Sequence, residues 1–303
     1  MRHPSARGQT VHENVARLLE ALTLRPAPTE DNADRFVGTS IKMPHNRVFG
    51  GQVLAQTLIA ASATVPSTRP VHSVHGYFLR PGDDNQPIEY SVDRIHDGRS
   101  FSTRRTQGIQ NGVPIFSMIA SFQEVAPGLE HAEPMPEGIP DPETLPAPSE
   151  LFASLDHPRA TYWASARPVD IRYINGPIYV DVPQPHVAHQ AVWMRCLDKL
   201  PDDPNLHRAV LAYASDYTIL ESIYRRHGVA WATKGLNAAS LDHAMWFHRD
   251  GRADEWVLYV QESPSAQGGR GLCLGRLYTR DGRLLATVAQ EGMVRVPPGV
   301  AGT

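Results

Sequence analysis

Ser240-Leu241-Asp242-His243-Ala244-Met245-Trp246-Phe247-His248-Arg249 opens the stretch, running to Gln290, whose reading decides the fold, because Ser73 to Gln123 repeats it. Phe78 and Phe247, Arg80 and Arg249, and Tyr90 and Tyr259 are each 169 residues apart. Gly98 and Gly269, Arg99 and Arg270, and Arg105 and Arg276 are 171 apart, Gly112 and Gly282 are 170 apart, and Gln123 and Gln290 are 167 apart. A single match means little. A series of them at one slowly drifting offset, on a shared strand-turn-strand pattern, argues for an internal duplication. The drift belongs in the turns, where insertions are tolerated.

Outward from these copies the chain alternates helical and extended patterns. Val11, Val15, Leu18, Leu19 and Leu22 recur at helical spacing and predict a short amphipathic helix. Arg35 to Gly38 reads as a short strand, and Phe49-Gly50-Gly51-Gln52 leads into a helix carrying Val53, Leu54, Leu58 and Ala61, apolar enough to be buried. Four β-rich runs follow: Val71 to Leu79, Pro87 to His96, Ser100 to Ile109 and Val113 to Gln123. Asp97-Gly98 and Asn111-Gly112 between them are tight-hairpin dipeptides, since both positions tolerate positive φ. One helix wrapped by a curved antiparallel sheet is the simplest packing for that order.

Ala126 to Pro148 holds seven prolines and reads as an extended linker. Ser149 to Leu155 is expected as a helical turn, Val169, Ile171 and Tyr173 as a strand, and Ile178 to His189 as an irregular insertion. The second unit then repeats the first. Ala191 to Leu197 leads, and Ser215 is expected to cap a helix with Ile219, Leu220 and Ile223 on its apolar face. The runs Ala238 to His248, Glu255 to Ser263, Gly271 to Thr279 and Arg283 to Val296 complete it. The expected division is residues 1–125, a proline-rich linker at 126–168, and residues 169–303.

Composition bounds the function. A chain of 303 residues has room for two ordinary domains, and 41% hydrophobic with 20% charged residues is a globular balance. A net charge of −3 gives no general attraction to nucleic acid or anionic membrane. No run of 18 apolar residues is present, so no membrane span is expected, and the first residues lack the apolar region of a secretory signal. Cys196 and Cys273 lack a CxxC partner and read as buried free thiols of a cytoplasmic enzyme.

Several blocks are similar to the type II acyl-CoA thioesterase family. They are Arg47-Val48-Phe49-Gly50-Gly51-Gln52-Val53-Leu54, His75-Gly76-Tyr77-Phe78-Leu79-Arg80-Pro81-Gly82 and Asp97 to Arg105 in the first half. In the second half they are Ser215-Asp216, Leu241 to Arg249 and Gln290-Glu291-Gly292. The resemblance covers roughly Arg35 to Arg295. It implies an α+β fold, a tandem double hotdog in which each unit is a long buried helix wrapped by a curved antiparallel sheet. It also implies a catalytic trio: an Asp at the start of the second helix, a Thr or Ser two residues before Asp-His, and a Gln before Glu-Gly. In this sequence those positions are Asp216, Ser240 and Gln290.

The chemistry fits that set. A thioester is an activated acyl donor whose thiol has a pKa of about 8.5, so its departure needs little help. What remains is to deprotonate one water and stabilise an oxyanion. Asp216 is expected as the base, with Ser240 and Gln290 holding the water and a backbone N–H at a helix start as the oxyanion donor. Gln52 is matched to Asp216 in the first unit, and a glutamine cannot accept the proton, so one active site per chain is expected. No cofactor is required. The expected partner is an acyl-CoA, with Arg80, Arg99, Arg104, Arg105, Arg249 and Arg270 as candidate cations for its phosphates; a homo-oligomer is also expected.

Other signals weigh less. From position alone Asp216 would read as a helix first-turn acid, Ser240 as an ordinary strand serine and Gln290 as a strand-end amide. Most of the arginines would be solvated strand residues. His186-Val187-Ala188-His189 lacks a third metal ligand, and His243 and His248 are expected on opposite faces of a strand. Gly-x-Ser-x-Gly is absent, which excludes a serine-hydrolase elbow. The competing functions are a hydratase or dehydratase, which would pair an acid with a histidine at the buried helix, and a non-catalytic acyl-CoA sensor, for which a DNA-binding module is missing.

Overall fold

The computed structural model describes residues 11–27, 33–152, 155, 157, 160–297 and 299. The first half comprises α1 (Glu13–Leu22), β1 (Arg25–Pro26), β2 (Asp34–Gly38), α2 (Gly50–Ser62), β3 (Val71–Phe78), β4 (Ile88–Asp97), β5 (Phe101–Gln110) and β6 (Val113–Gln123). Next come α3 (Pro148–Phe152), β7 (Val169–Tyr173), β8 (His189–Cys196), α4 (Pro204–Ser215) and α5 (Glu221–Arg226). The chain closes with β9 (Asn237–Ser240), β10 (Asp242–Phe247), β11 (Val257–Gln267), β12 (Arg270–Thr279) and β13 (Leu284–Arg295). The expected helical turn after Ser149 is α3; residues 153 and 154 within that expectation lie outside the described set.

All the strands join one antiparallel sheet in the order β1-β2-β4-β5-β6-β3-β10-β13-β12-β11-β8-β7, with β9 also paired to β13. The order is a mirror about the β3–β10 junction. There His75 pairs with Ala244, two residues 169 apart, the same interval that separates Phe78 from Phe247. Equivalent residues can face each other across an antiparallel pair only on a two-fold axis, so the duplication is folded as a pseudo-dimer around this point. α2 is buried on nearly every side, as a helix at the centre of a wrapped sheet must be.

The ladders correct the alignment read from sequence. His75 pairs with Ile119 and Ala244 with Ala289, so the residue matching Gln290 is Ala120, not Gln123. Likewise Arg105 opposes Ile119 and Leu274 opposes Ala289, so Leu274, not Arg276, matches Arg105. The β4–β5 ladder ends at Asp97–Ser102, whereas β11–β12 continues to Gln267–Arg270. The glycine matches therefore aligned turn chemistry rather than register. Tyr90 and Tyr259, both fully buried, keep the 169 interval.

The second unit departs from expectation at its helix. Ser215 is the last residue of α4, an element not foreseen, and Asp216 is that helix's C-cap. Tight turns follow and α5 starts only at Glu221. The signal for α4 was present: Asp203 accepts from the Asn205 N–H with Pro204 at the first helical position, a start easily taken for a loop.

The proline-rich stretch is extended but anchored. Pro140 O accepts from the Trp193 indole at 2.9 Å and Glu143 from that of Trp256 at 2.8 Å, over a small apolar cluster on β8, β11 and β12. Both cysteines are free and buried.

Besides the β3–β10 ladder, the two halves meet where α2 packs against α4. A Cβ built on Gly51 would lie 2.3 Å from the Tyr213 carbonyl oxygen, and a backbone atom cannot step aside. Ordinarily Gly→Ala within a helix stabilises by about 1 kcal/mol. Here Gly51→Ala is expected to destabilise by roughly 1–3 kcal/mol through overpacking, read as a lower urea midpoint.

Candidate active site

Four elements converge on one carboxylate. Asp216 at the C-cap of α4 sits against the N-terminus of α2, with Ser240 at the end of β9 and Gln290 in the middle of β13. Ser240 Oγ donates to Asp216 Oδ1 at 3.1 Å, and Gln290 Nε2 donates to the same oxygen at 3.0 Å. Gln290 Nε2 also donates to Ser240 Oγ at 2.8 Å, closing a triangle. The three residues expected from sequence are thus in mutual contact. Among the described residues both side-chain donors go to Oδ1, leaving Oδ2 on the side of Gly50, where an added Cβ would lie 2.7 Å away.

Burial pushes the Asp216 carboxyl up to about 6; hydrogen bonds from Gln290, Ser240 and the Gly51 N–H pull the other way without cancelling it. Phe49 caps α2 without a side-chain bond, and the Gly51 N–H of its first turn is directed instead at the Asp216 carboxylate. The helix start expected near the base is therefore the start of α2, in the opposite half of the chain.

Sequence reading placed Ser240 and His243 in one continuous strand. They are three apart, and an unbroken strand would direct them to opposite faces. Instead the strand breaks at Leu241, whose N–H donates to Glu291 O while its carbonyl accepts from the Phe78 N–H. The Asp242 carboxylate accepts from the Glu291 N–H at 2.6 Å and holds the break. Ser240 and His243 can then both reach Gln290. His243, discounted from sequence, is fully buried: Nδ1 meets Gln290 Oε1, and Nε2 lies 3.1 Å from Ser215 Oγ. Its signal was the Asp-His following Ser240, and that of Gly50-Gly51 was their place in the first block.

The candidate phosphate cations separate. Arg104 is withdrawn: it is 1% exposed, donating to Thr64 and paired with Asp97 at 2.8 Å. Arg105 pairs with Asp93 at 2.7 Å on the outer side of the sheet. Arg249 donates to Leu284 O and Arg80 to Pro114 O, while Arg99 is exposed. Arg270 pairs with Glu291, the residue after Gln290, at 3.1 Å.

This architecture has known relatives. The family described as "Acyl-CoA thioesterase" matches residues 175–293, and "Acyl-CoA thioesterase N-terminal domain" matches 39–123. Acyl-CoA thioesterase 2 of Haemophilus influenzae is 37% identical over 266 residues, 86% of this chain and 92% of that one. Human acyl-coenzyme A thioesterase 8 is 39% identical over 279 residues, 88% of this chain and 86% of that one. The crystal structure of the acyl-CoA thioesterase II TesB2 of Mycobacterium marinum, 41% identical, superposes with a TM-score of 0.73 over 94% of this chain and all of that one.

A raised carboxyl makes stability depend on pH. Below the ordinary value of 3.8 both folded and unfolded chains hold the proton; as pH climbs toward about 6 the unfolded chain ionises first, and the native state loses ground. Asp216→Asn is therefore expected to raise unfolding free energy at pH 8 by up to about 3 kcal/mol. At pH 4.5 the gain should shrink to about 1 kcal/mol, as measured by urea titration at both pH values.

Proposed function

The chain belongs to the acyl-CoA thioesterase family, and on that premise we propose that Asp216, Ser240 and Gln290 hydrolyse fatty acyl-CoA by direct attack of water. The enzyme is an acyl-CoA thioesterase. The observation that carries the proposed mechanism is the shared contact of all three side chains around Asp216 Oδ1, which leaves Oδ2 for the water.

In this reading Oδ2 takes a proton from water as its oxygen bonds to the thioester carbonyl carbon. The oxyanion that forms is met by first-turn amides of α2, the turn whose Gly51 N–H is already directed at the Asp216 carboxylate; these donors cost no reorganisation. Collapse breaks the C–S bond, and the proton on Asp216 passes to the departing thiolate, so acid and thiol leave with the base regenerated. A carboxyl raised to about 6 is a stronger base than an exposed aspartate yet ionised at neutral pH.

One site per chain follows from the same alignment. Val71 and Ala120 stand where the second half has Ser240 and Gln290, so the mirrored position has neither the hydroxyl nor the amide. A hydratase would need an imidazole free to exchange protons with substrate, and both His243 nitrogens are engaged. Of the arginines, Arg80 and Arg270 are the proposed phosphate contacts. Arg80 follows Phe78, whose ring faces Gly50, and Arg270 adjoins Gln290 through Glu291. Assembly into a homo-oligomer is supported by Tyr77, Ile119 and Trp246, exposed on the outer side of the sheet.

Thiol release from a chain-length series of acyl-CoAs tests the mechanism. Asp216→Asn is expected to lower kcat by about 10²–10⁴-fold with the fold intact, and kcat/KM of the parent should rise with pH and level off above about 6. Near-normal turnover by that variant, or a flat profile from pH 5 to 8, removes Asp216 from the chemistry. KM should climb with ionic strength if arginines hold the phosphates.

A further inference from the structure

We propose that His243 is a positioning residue that fixes which end of the Gln290 amide faces Asp216, acting as a neutral imidazole with its hydrogen on Nδ1. The inference rests on the site reading above and adds a role for a group that does not touch the carboxylate.

A glutamine amide can sit either way round in the same space, and only one way serves this site. The NH2 group has two hydrogens to give, and it spends both on Asp216 Oδ1 at 3.0 Å and Ser240 Oγ at 2.8 Å. Turned over, the amide would put its carbonyl oxygen 3.0 Å from the ionised Asp216, lone pairs against negative charge. It would also take away the donor that holds Ser240. The correct orientation leaves Oε1 on the far side, and the group waiting there is His243 Nδ1. Oε1 has no hydrogen, so Nδ1 must carry one.

The rest of the chain follows from that hydrogen. Burial pushes His243 down to about 4, so the ring is neutral and Nε2 is bare. A bare Nε2 accepts from Ser215 Oγ, 3.1 Å away, although the Ala212 carbonyl 2.9 Å from that hydroxyl competes for its proton. From Nδ1 onward every donor runs one way: His243 to Gln290, Gln290 to Ser240 and Asp216, Ser240 to Asp216, with the single Ser215 hydrogen shared between the Ala212 carbonyl and Nε2. Ser215 is in turn held by α4, where the Tyr259 hydroxyl donates to its carbonyl at 3.1 Å. The orientation of an amide in β13 is thus tied to the last turn of α4, the turn that also places Asp216.

Three measurements test this. ¹⁵N-histidine NMR of the unmodified enzyme should give His243 the pattern of a neutral ring protonated at Nδ1; an Nε2–H tautomer overturns the proposal. His243→Leu keeps bulk but removes the donor and is expected to lower kcat roughly 10- to 100-fold with KM within about twofold. His243→Asn, whose side-chain NH2 falls near the Nδ1 position, should recover most of the loss. An unchanged kcat in His243→Leu, or a loss in His243→Asn as deep as in His243→Leu, overturns the proposal. Finally, His243→Leu added to Gln290→Ala should cost nothing further, because His243 acts through that amide. An additive loss in the double variant overturns it. Failure of the underlying site reading looks different: Gln290→Ala alone would then turn over normally, while the NMR result still reports the tautomer.

Discussion

The positive amide end of α2 meets the carbonyl end of α4, and the rest of the molecule depends on that meeting. Gly51 lets the two backbones approach, and Gly50 leaves a gap beside Asp216 Oδ2 that any side chain would close. The opposed helix ends are favourable dipole neighbours. Aromatic rings clamp the joint from the side: Phe49, just before α2, stacks on Tyr217 at 4.5 Å and meets Tyr213 edge-on at 5.1 Å. The Arg167 guanidinium, delivered by the end of the linker, lies 4.8 Å from the Tyr217 ring centre. Each half supplies one of the two helix ends, so neither half alone could build the site.

That geometry explains the unusual state of Asp216. A carboxylate walled in by two helices and a sheet loses its hydration, which raises its affinity for protons. The amide end of α2 and two side-chain donors return part of the lost stabilisation, enough to keep the group ionised near neutral pH. Burying the carboxylate costs local stability, and perturbed carboxyls of this kind are frequent at functional sites. The pseudo-dyad sharpens the contrast: Val71 and Ala120 stand at the mirrored positions of Ser240 and Gln290, so the side-chain donors around Asp216 have no counterparts there.

How much of this could be read beforehand differs from element to element. The four strands of the first half fell where alternation and Asn-Gly or Asp-Gly turns put them, because both signals are local. Tyr90 and Tyr259 kept their spacing because each fills the core of its own unit. The 171-residue matches failed as structural equivalents because turn glycines are chosen for backbone angles, and the hairpins they close differ in length. α4 was overlooked because Pro201 to Pro204 reads as a break, although proline also begins helices. His243 was discounted as a metal ligand because a regular strand would put it and His248 on opposite faces, and nothing local announces the break at Leu241 that brings it to Gln290. Its cause is the pairing of that peptide with Glu291 and Phe78, far away in the chain.

By itself the sequence determined the duplication and the strand order of each copy, and through its family resemblance it singled out Asp216, Ser240 and Gln290, which the fold brings into contact. These are matters of residue type and short-range spacing, which pattern and turn chemistry express directly. Only the tertiary structure decided that the helix end facing Asp216 belongs to the other half, that Ala120 rather than Gln123 mirrors Gln290, and that a buried imidazole backs the glutamine amide. Those outcomes depend on ladder register and on backbone approach between segments from 47 to about 170 residues apart. No local signal carries them, because the free energy that fixes them comes from packing the two halves against each other.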